Sequence, residues 1–323
     1  SRDKINSSKD LKIHSKELDA LQKEITLFHS KAVNEVVKEI DFNINIIGFH
    51  GQTIFHNADE KISRQLGDGN LLSQLIKKKV VYDFRQNDLK NGGQGAPLTP
   101  IFHKLVSKEI KIDPPLCILN LGGIANITAI ESDKNSNLVS CDIGPGNCLI
   151  DEWVRKKTGK KYDKGGSIAK LGKINTAILN QALDNRENLK TKTILSYDAK
   201  DFDLNFVRGL SLEDGAATIT EFTGTVLGDG ILDFLNKLSN KPRKILVCGG
   251  GRKNLTLIES IKKKLVEKNT IENIDNYGID GDFIESQAFA YLAIRSSLKL
   301  PISFPKTTGC KEPSTGGILV QNF

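Results

Sequence analysis

Apolar positions along the chain alternate between helical spacing and short continuous runs. Apolar residues at every third or fourth position predict helices over residues 17–40, 70–78, 148–154, 168–183, 212–235, 255–265 and 285–298. Continuous apolar runs predict strands over residues 44–49, 80–82, 116–121 and 244–248, with a short last strand at 317–320. Residues 1–15 are polar and charged and are expected to be loose. Strands interleaved with helices in this way indicate an α/β fold.

Residues 141–147, Cys-Asp-Ile-Gly-Pro-Gly-Asn, hold one carboxylate on a segment rich in glycine and proline. Such a run is expected to interrupt both strand and helix, which predicts a shaped loop after a polar turn at 136–140. A helix start follows, so Asp142 is expected at a strand-to-helix junction, where α/β enzymes place reacting groups. Taken alone, the segment is explained better by an aspartate that caps its own turn.

A glycine pair follows the buried strand at 116–121. Gly122 and Gly123 precede a return strand at 124–128, which predicts a hairpin whose exposed N–H groups can bind phosphate oxygens. This is not a GxxxxGK[ST] phosphate loop, and no such loop occurs in the chain. A two-glycine hairpin is a weak signal by itself.

A second glycine run follows the strand at 244–248. Gly249, Gly250 and Gly251 lead through Asn254 into a predicted helix. The order of strand, glycine run and helix is typical of a nucleotide resting on a helix N-terminus. A connection that only requires small residues explains the same pattern equally well.

Polar loops also follow the two earlier predicted strands. Residues 50–53, His-Gly-Gln-Thr, are small or able to hydrogen-bond, and on its own His50 is explained by a loop histidine bonded to backbone. After the next strand, Arg85 could pair with Asp83 or Asp88, or could hold a carboxylate through two hydrogen bonds. The run at 91–97, Asn-Gly-Gly-Gln-Gly-Ala-Pro, either lets backbone approach a ligand or forms a plain flexible turn.

Length and composition narrow the class of protein. The chain has 323 residues, enough for two domains, and its 38% hydrophobic and 26% charged residues suit a globular protein. The net charge of +7 comes from scattered lysines and arginines that do not collect with aromatic residues, so no nucleic-acid surface is expected. The charge mildly favours an anionic substrate.

Cysteine, methionine and hydropathy patterns bear on the compartment. Five cysteines without CxxC spacing predict neither a disulfide framework nor a metal site, and point to a reducing compartment. No apolar run approaches the length of a membrane span, and the start has no secretory pattern. The sequence contains no methionine, so the natural chain is expected to begin upstream of Ser1.

Five of these segments, in this order, resemble the anhydro-N-acetylmuramic acid kinase family. They are Phe-His-Gly-Gln-Thr at 49–53, Asp-Phe-Arg at 83–85 with the glycine run through Leu98, Leu-Asn-Leu-Gly-Gly-Ile-Ala-Asn at 119–126, Asp-Ile-Gly-Pro-Gly-Asn at 142–147, and Val-Cys-Gly-Gly-Gly at 247–251. Each is weak singly, but the ordered set is specific and covers nearly the whole chain.

The resemblance implies a fold of two RNase H-like domains, as in actin-like ATPases, with a cleft between them. It implies domains at 1–114 and 115–323, with the C-terminal helix packing back toward the first. The family also begins with a Gly-Thr-Ser-Leu-Asp-Gly-type phosphate turn, which does not occur here. The first domain is therefore expected to be truncated at its N-terminus.

The resemblance also implies an activity and a set of site residues. The family uses ATP and Mg²⁺ to convert anhydro-N-acetylmuramic acid to N-acetylmuramic acid 6-phosphate, with water opening the anhydro ring. Asp142 matches the catalytic carboxylate. The residues expected to bind nucleotide are Gly122, Gly123, Asn126, Gly249, Gly250, Gly251 and Asn254, and those expected to contact the sugar are Thr53, Arg85, Asp88, Gln94 and Glu285.

We further expect a cytoplasmic enzyme that acts in cell-wall recycling on a small amino sugar. No nucleic-acid or membrane partner is expected, and the protein is compatible with a homodimer. Two alternatives stay open. A sugar kinase of different substrate would share the fold and the aspartate but lack the run at 92–97. A non-catalytic binding protein or remnant would share everything except turnover.

Overall fold

The computed structural model describes Ile5 and residues 7–189, 202–265 and 268–323. The chain divides into two compact units, Ser1–Phe102 with Ser286–Phe323, and His103–Glu285. These are called unit 1 and unit 2. In this division the predicted boundary at residue 114 lies inside unit 2, and the last 38 residues, Ser286–Phe323, belong to unit 1 (323 − 285 = 38).

Helices and strands alternate through the described chain. The α-helices are α1 (Ser8–Ile13), α2 (Ser15–Lys38), α3 (Gly69–Ile76), α4 (Gln86–Lys90), α5 (Pro100–Glu109), α6 (Cys148–Thr158), α7 (Ser167–Leu171), α8 (Thr176–Leu189), α9 (Leu212–Asn236), α10 (Leu255–Lys264), α11 (Ile284–Ser297) and α12 (Pro305–Thr308). The strands are β1 (Ile46–Phe49), β2 (Gln52–Asn57), β3 (Ile62–Leu66), β4 (Lys79–Tyr82), β5 (Leu116–Leu121), β6 (Ile124–Ile130), β7 (Leu138–Pro145), β8 (Lys244–Cys248), β9 (Thr270–Asn273) and β10 (Ile318–Val320).

Unit 1 contains a three-stranded sheet and a separate hairpin. The sheet order is β1-β4-β10, with β1 parallel and β10 antiparallel to β4, and β2 pairs with β3. Helix α3 begins where the Asp68 carboxylate accepts the N–H groups of Asn70 and Leu71. Leu72 on this helix packs with Phe49 and Val80 of the sheet in one buried cluster.

Unit 2 is built on a five-stranded sheet of order β7-β6-β5-β8-β9. Strands β5, β6 and β7 form an antiparallel meander, and β8 and β9 run parallel to β5. The long helix α9 buries most of its length against one face, where its small residues allow close approach. A Cβ on Gly224 would lie 2.0 Å from the Ser260 hydroxyl of α10, so only glycine fits there.

Most of the predicted elements are confirmed. The α/β class holds in both units. The prediction of a loose start is wrong in part, because Ser8–Ile13 is helical, while residues 1–4 and 6 lie outside the described residues.

The predicted apolar stripe of the first long helix is buried only in part, with Leu18, Leu21 and Ile25 packed in one cluster. Helix α2 buries Leu18, as expected, but its other buried residues are the polar Thr26 and Ser30. Phe28 is 70% exposed and Val36 is 56% exposed, although both belong to the predicted apolar stripe. Thr26 is buried because its hydroxyl accepts the Asp68 N–H and donates to the Gln22 carbonyl oxygen.

The prediction of a loop at residues 142–147 also needs correction. Strand β7 starts at Leu138, inside the predicted polar turn, and continues through Asp142 to Pro145. Among the strands described, β7 is an edge strand next to β6, and an edge tolerates proline because one side needs no ladder hydrogen bond. Gly144 adopts φ +148°, and the register shifts opposite Ala125 and Asn126. Pairing with β6 therefore extends the strand into the motif.

Candidate active site

Three of the predicted motifs lie at one edge of the unit 2 sheet, where β5, β7 and β8 end, and the motif at 142–147 includes the last residues of β7. Strand β8 is parallel to β5, and β7 runs in the same direction because both β5 and β7 are antiparallel to β6. The segments after β5, β7 and β8 therefore emerge together, as expected for a site at the carboxyl ends of strands.

The turn between β5 and β6 is bonded to the segment after β7. The N–H of Asn147 donates to the Gly122 carbonyl oxygen at 2.7 Å, and the N–H of Gly146 donates to that of Gly123 at 2.8 Å. The Asn147 side-chain amide donates to the Leu121 carbonyl oxygen at 3.3 Å. A Cβ on Gly146 would lie 2.2 Å from the Gly122 oxygen, so this approach requires glycine.

The turn after β8 packs onto the same two segments. Gly249 has φ +78° and ψ 171°, a region open essentially to glycine alone, and a Cβ there would lie 2.4 Å from Asn120 Oδ1. A Cβ on Gly251 would lie 2.6 Å from the Leu121 Cβ and 3.0 Å from Asn147 Oδ1. The structure thus brings together the predicted hairpin and the predicted glycine run.

Two glycines at this meeting point are not required by the fold itself. A Cβ on Gly123 would have no atom within 4 Å, and one on Gly250 would meet only the Asn147 amide nitrogen at 3.9 Å. Neither residue has a positive φ, and both are exposed. Bare backbone with free space above it suits the close approach of an anionic ligand to N–H groups.

Asp142 lies in a row of polar residues across the sheet. It pairs with Asn126 of β6, which pairs with Asn120 of β5, which pairs with Cys248 of β8. Side chains of directly paired residues share a face, here opposite the face that packs on α9. The buried Oδ1 atom of Asn126 has no hydrogen-bond partner among the described residues. A buried polar atom of this kind is costly unless a ligand or water satisfies it.

Asn254 has a structural task in this fold. Its side chain caps α10 by accepting the Leu257 N–H at 3.1 Å, and the residue is 6% exposed. The same Oδ1 atom lies where a Cβ on Gly166 would come within 2.2 Å. The contacts described give Asn254 a role in shaping the start of α10, and direct contact with a nucleotide stays a prediction.

The glycine run at 91–97 in unit 1 is organised by Asp88. Its carboxylate is 1% exposed and accepts the Thr308 hydroxyl and the Gly95 N–H, each at 2.7 Å. The Gln94 N–H donates to the Thr308 carbonyl oxygen at 2.7 Å. A Cβ on Gly93 would lie 2.2 Å from an Asp88 oxygen. These contacts make Asp88 a support of the loop, and its contact with a sugar stays a prediction.

Arg85 is held by the same loop and by His50. Its Nη1 donates to the Gly95 carbonyl oxygen at 2.8 Å, and its Nε donates to His50 Nε2 at 3.0 Å. The His50 Nδ1–H donates to the Gly51 carbonyl oxygen at 2.9 Å, which fixes the tautomer. Burial, and then the charge of Arg85, lower the pKa of His50 to about 3. A neutral imidazole therefore orients the guanidinium.

A cavity of about 260 Å³ opens beside this arrangement in unit 1. Its lining includes His50, Gln65, Arg64 and Asp83. Thr53, which was predicted to contact the sugar, does not line the cavity itself. Its hydroxyl accepts a hydrogen bond at 3.1 Å from the amide of Gln65, which does line it. Burial raises the pKa of Asp83, whose φ is +55°. Polar and charged groups of both signs thus face one cavity.

The remaining predicted residue, Glu285, is exposed in the first turn of α11 and is the last residue of unit 2.

Catalysis by a nucleophilic cysteine is disfavoured, because burial raises the pKa of Cys148 to about 11 and that of Cys141 to about 12. No group of three or more metal-ligating His, Cys, Asp or Glu side chains occurs in the described part of the chain.

Sequence reasoning did not select three residues that the structure brings to these sites. Asn147 is the last residue of the motif at 142–147, and its side-chain amide, which can bond to a neighbouring backbone, could have identified it. His50 lies inside the His-Gly-Gln-Thr motif and was interpreted as a loop histidine. Arg252 follows the glycine run, but its carboxylate partners are more than twenty positions away in the sequence and no local pattern identifies them.

The chain is similar to known proteins of one family. Residues 2–322 match the family described as anhydro-N-acetylmuramic acid kinase. The chain is 58% identical to the anhydro-N-acetylmuramic acid kinase of Pelagibacter ubique, over 100% of this chain and 86% of that protein. It is 43% identical to that of Zymomonas mobilis, over 91% of this chain and 78% of the relative, and 39% identical to that of Rhizobium etli, over 94% and 81%.

Among solved structures, the chain matches a xylulose kinase from Rhodospirillum rubrum with 8% identity and a TM-score of 0.37, over 61% of this chain and 41% of that one. No helix among the described residues has the length and apolar character needed to span a membrane. On the match over residues 2–322 and on identities of up to 58%, the chain belongs to the anhydro-N-acetylmuramic acid kinase family.

Proposed function

We propose that this protein is an ATP-dependent kinase that converts 1,6-anhydro-N-acetylmuramic acid to N-acetylmuramic acid 6-phosphate in the recycling of cell-wall peptidoglycan. The observation that carries the proposal is the meeting of the Gly122–Gly123 hairpin, Asn147 and the Gly249–Gly251 turn at one sheet edge, together with the polar row that contains Asp142. Family membership supplies the substrate.

Backbone N–H groups of the two glycine turns are proposed to hold the phosphates of ATP. Gly123 and Gly250 leave free space above their backbone, and the turns are locked to each other through Asn147 and Leu121. Fixed donors of this kind stabilise charge on a transferring phosphoryl group without reorganising during the reaction.

Asp142 is proposed to be the general base. Water attacks the anomeric carbon, and its proton passes to the Asp142 carboxylate. The bond from that carbon to the bridging oxygen breaks, and the released oxygen, O6, takes the γ-phosphoryl group. ADP and the 6-phosphate are the products. A positioned base typically contributes about 10²- to 10⁴-fold to such a step.

Oxygen atoms near Asp142 fit a magnesium ion in part. The Asp142 carboxylate and the unsatisfied Asn126 Oδ1 lie at paired positions, and Mg²⁺ is commonly held by one or two carboxylates with phosphate oxygens and waters. When bound, the ion neutralises charge on the phosphates. We propose that these two side chains face it, with the phosphates supplying further oxygen atoms.

Sugar contacts are proposed for Thr53, Arg85, Asp88, Gln94 and Glu285. Arg85 carries the strongest support, because His50 and Gly95 fix its guanidinium in a half-buried position. A fixed guanidinium suits the carboxylate of the lactyl group on the substrate. Asp88 is proposed to act through the loop that it holds. A cytoplasmic location is proposed because the reaction consumes ATP.

The test is ADP formation by the full-length protein with a panel of sugars. We expect turnover with anhydro-N-acetylmuramic acid and at most trace turnover with glucose or N-acetylglucosamine. Preference for either of the latter would favour a sugar kinase of different substrate. Binding of ATP and the anhydro sugar without turnover would favour a non-catalytic protein.

A further inference from the structure

Arg252, in the turn after β8, has a nearly fully buried guanidinium. Its side chain is 2% exposed, yet it contacts three carboxylates on the loop that follows β9. Nε lies 3.0 Å from both oxygens of Asp275, Nη1 lies 2.5 Å from Asp282 Oδ1, and Nη2 lies 3.4 Å from Asp280 Oδ1. The positive charge is therefore compensated inside unit 2.

The same guanidinium is bonded to the glycine turn itself. Its Nη1 donates to the Gly249 carbonyl oxygen at 3.1 Å, while the Gly249 N–H donates to the Gly281 carbonyl oxygen at 3.0 Å. The Gly281 N–H donates to Asp275 Oδ1 at 2.8 Å, which closes a ring of hydrogen bonds. A Cβ on Gly281 would lie 2.5 Å from Arg252 Nε, so the two loops fit together only with glycine there.

This geometry gives Arg252 a different task from the one its position suggests. An arginine beside a glycine-rich turn would ordinarily be expected to grip a phosphate group. Here each of its three nitrogens already donates to a carboxylate or a carbonyl oxygen, and almost none of its surface is exposed. A phosphate has no access to this guanidinium in the structure described.

We propose that Arg252 is a positioning residue for nucleotide binding, which fixes the backbone of Gly249–Gly251 against the loop at 273–282. The inference rests on the proposed use of ATP at that turn. Gly249 holds a conformation restricted to glycine, so the turn needs outside contacts to persist. Arg252 supplies two of them, one direct and one through Asp275 and Gly281.

The net charge of the Arg252 cluster gives a second reason to expect that Arg252 supports ATP binding. The cluster holds three carboxylates against Arg252 and Lys253, which gives −3 + 2 = −1. Hydrogen bonds from Arg252 and Lys253 lower the pKa of Asp282, so it stays ionised. Loss of Arg252 would leave −2 beside a site for polyanionic ATP and would release the turn at the same time.

The test compares Arg252→Lys, Asp275→Asn and the control Asp280→Asn in the full-length protein. Lysine keeps the charge but is a point donor that cannot contact the carboxylates and Gly249 together. We expect Arg252→Lys and Asp275→Asn to raise KM for ATP about tenfold or more. We also expect kcat at saturating ATP to stay within about threefold and KM for the sugar to stay unchanged. Asp280→Asn removes one negative charge, as Asp275→Asn does, but Asp280 makes the longest of the contacts with Arg252, and the Oδ1 of asparagine can still accept the Asp282 N–H. We therefore expect it to raise KM for ATP less than Asp275→Asn does.

Two results would overturn the proposal. One is a lower melting temperature for both Arg252→Lys and Asp275→Asn with unchanged KM for ATP, which would make the cluster purely structural. The other is a loss of kcat at unchanged KM for ATP, which would place the guanidinium on the reacting phosphate. If Arg252→Lys fails to fold, Asp275→Asn decides the question alone.

Failure of the proposed function gives a different pattern. A wild-type protein that binds ATP without turning over the sugar would refute the kinase assignment. Calorimetric ATP affinities of the same variants would then still test Arg252. A wild-type protein that does not bind ATP at all would refute both.

Discussion

The substitution Gly123→Ala is expected to affect the stability of the fold and the affinity for ATP in different ways. Gly123 is exposed in the turn between β5 and β6, has no positive φ, and has no atom within 4 Å of the place where a Cβ would lie. Alanine should therefore fit the folded chain without strain. In the unfolded chain it restricts the backbone, which typically adds about 0.4–1 kcal/mol of stability.

The same methyl group would occupy the space above a proposed phosphate-binding N–H. Loss of one charge-assisted hydrogen bond costs about 1.5–3 kcal/mol. At about 1.4 kcal/mol for each factor of ten, this weakens ATP binding roughly 10- to 150-fold. The variant should thus unfold no earlier than the wild type while binding ATP far more weakly.

The assay pairs thermal unfolding without ligand with calorimetric titration of ATP. Gly209→Ala is the matched control, because Gly209 also has open space at its Cβ position and no positive φ but lies outside the quoted motifs. We expect Gly209→Ala to leave ATP affinity unchanged. Wild-type ATP affinity in Gly123→Ala would refute the assignment of this turn to phosphate binding.

Three further predictions follow from the same geometry. Asp142→Asn should lower kcat about 10²- to 10⁴-fold with little change in the affinity for the sugar, because asparagine keeps the shape but cannot take a proton at neutral pH. Gly249→Ala should lower the free energy of unfolding by at least about 2 kcal/mol through backbone strain and a clash at 2.4 Å. Gly250→Ala in the same turn meets no clash and, like Gly123→Ala, should raise it by about 0.4–1 kcal/mol. For His50, the folded-state pKa of about 3 lies below the usual 6.5, so the unfolded chain binds more protons than the folded chain below pH 6.5. The free energy of unfolding therefore decreases as the pH is lowered through this range. His50→Gln should remove about 1.4 kcal/mol of the loss between about pH 7.5 and pH 5.5.

Each of these predictions has an outcome that contradicts it. An Asp142→Asn enzyme that melts early but turns over normally once folded would give Asp142 a structural role in β7 and no catalytic one. Equal destabilisation by Gly249→Ala and Gly250→Ala in chemical unfolding would remove the special conformation assigned to Gly249. An unaltered pH profile of unfolding in His50→Gln would show that this histidine is protonated in the folded protein.

Local patterns identified the hairpin at Gly122–Gly123 and the strand, glycine run and helix around Gly249 because hydrophobic runs and glycines suffice to specify them. The backbone state of Asp142 depended on pairing with β6 at the sheet edge, and no spacing within the motif encodes that pairing. The contacts of Arg252 join a turn to a loop after a separate strand, so only the folded chain reveals them.

The sequence could not predict which residues of α2 are buried, for a related reason. Thr26 is buried because its hydroxyl meets the Asp68 N–H, which is 42 positions away, whereas the apolar Phe28 remains exposed. Hydrophobic spacing cannot register a polar contact of that kind. Likewise, the buried support that Asp88 gives to the run at 91–97 requires Thr308 from the far end of the chain.

The central claim is a kinase that opens an anhydro ring with water while phosphorylating the released oxygen, and isotope labelling tests it most directly. The full-length protein is supplied with ATP, Mg²⁺ and anhydro-N-acetylmuramic acid in water enriched in the heavy oxygen isotope, and the product is analysed by mass spectrometry. We predict one heavy oxygen on the anomeric carbon of N-acetylmuramic acid 6-phosphate and none in its phosphate group. Heavy oxygen in free inorganic phosphate without a labelled sugar phosphate would mean that the protein only hydrolyses ATP, and would contradict the account.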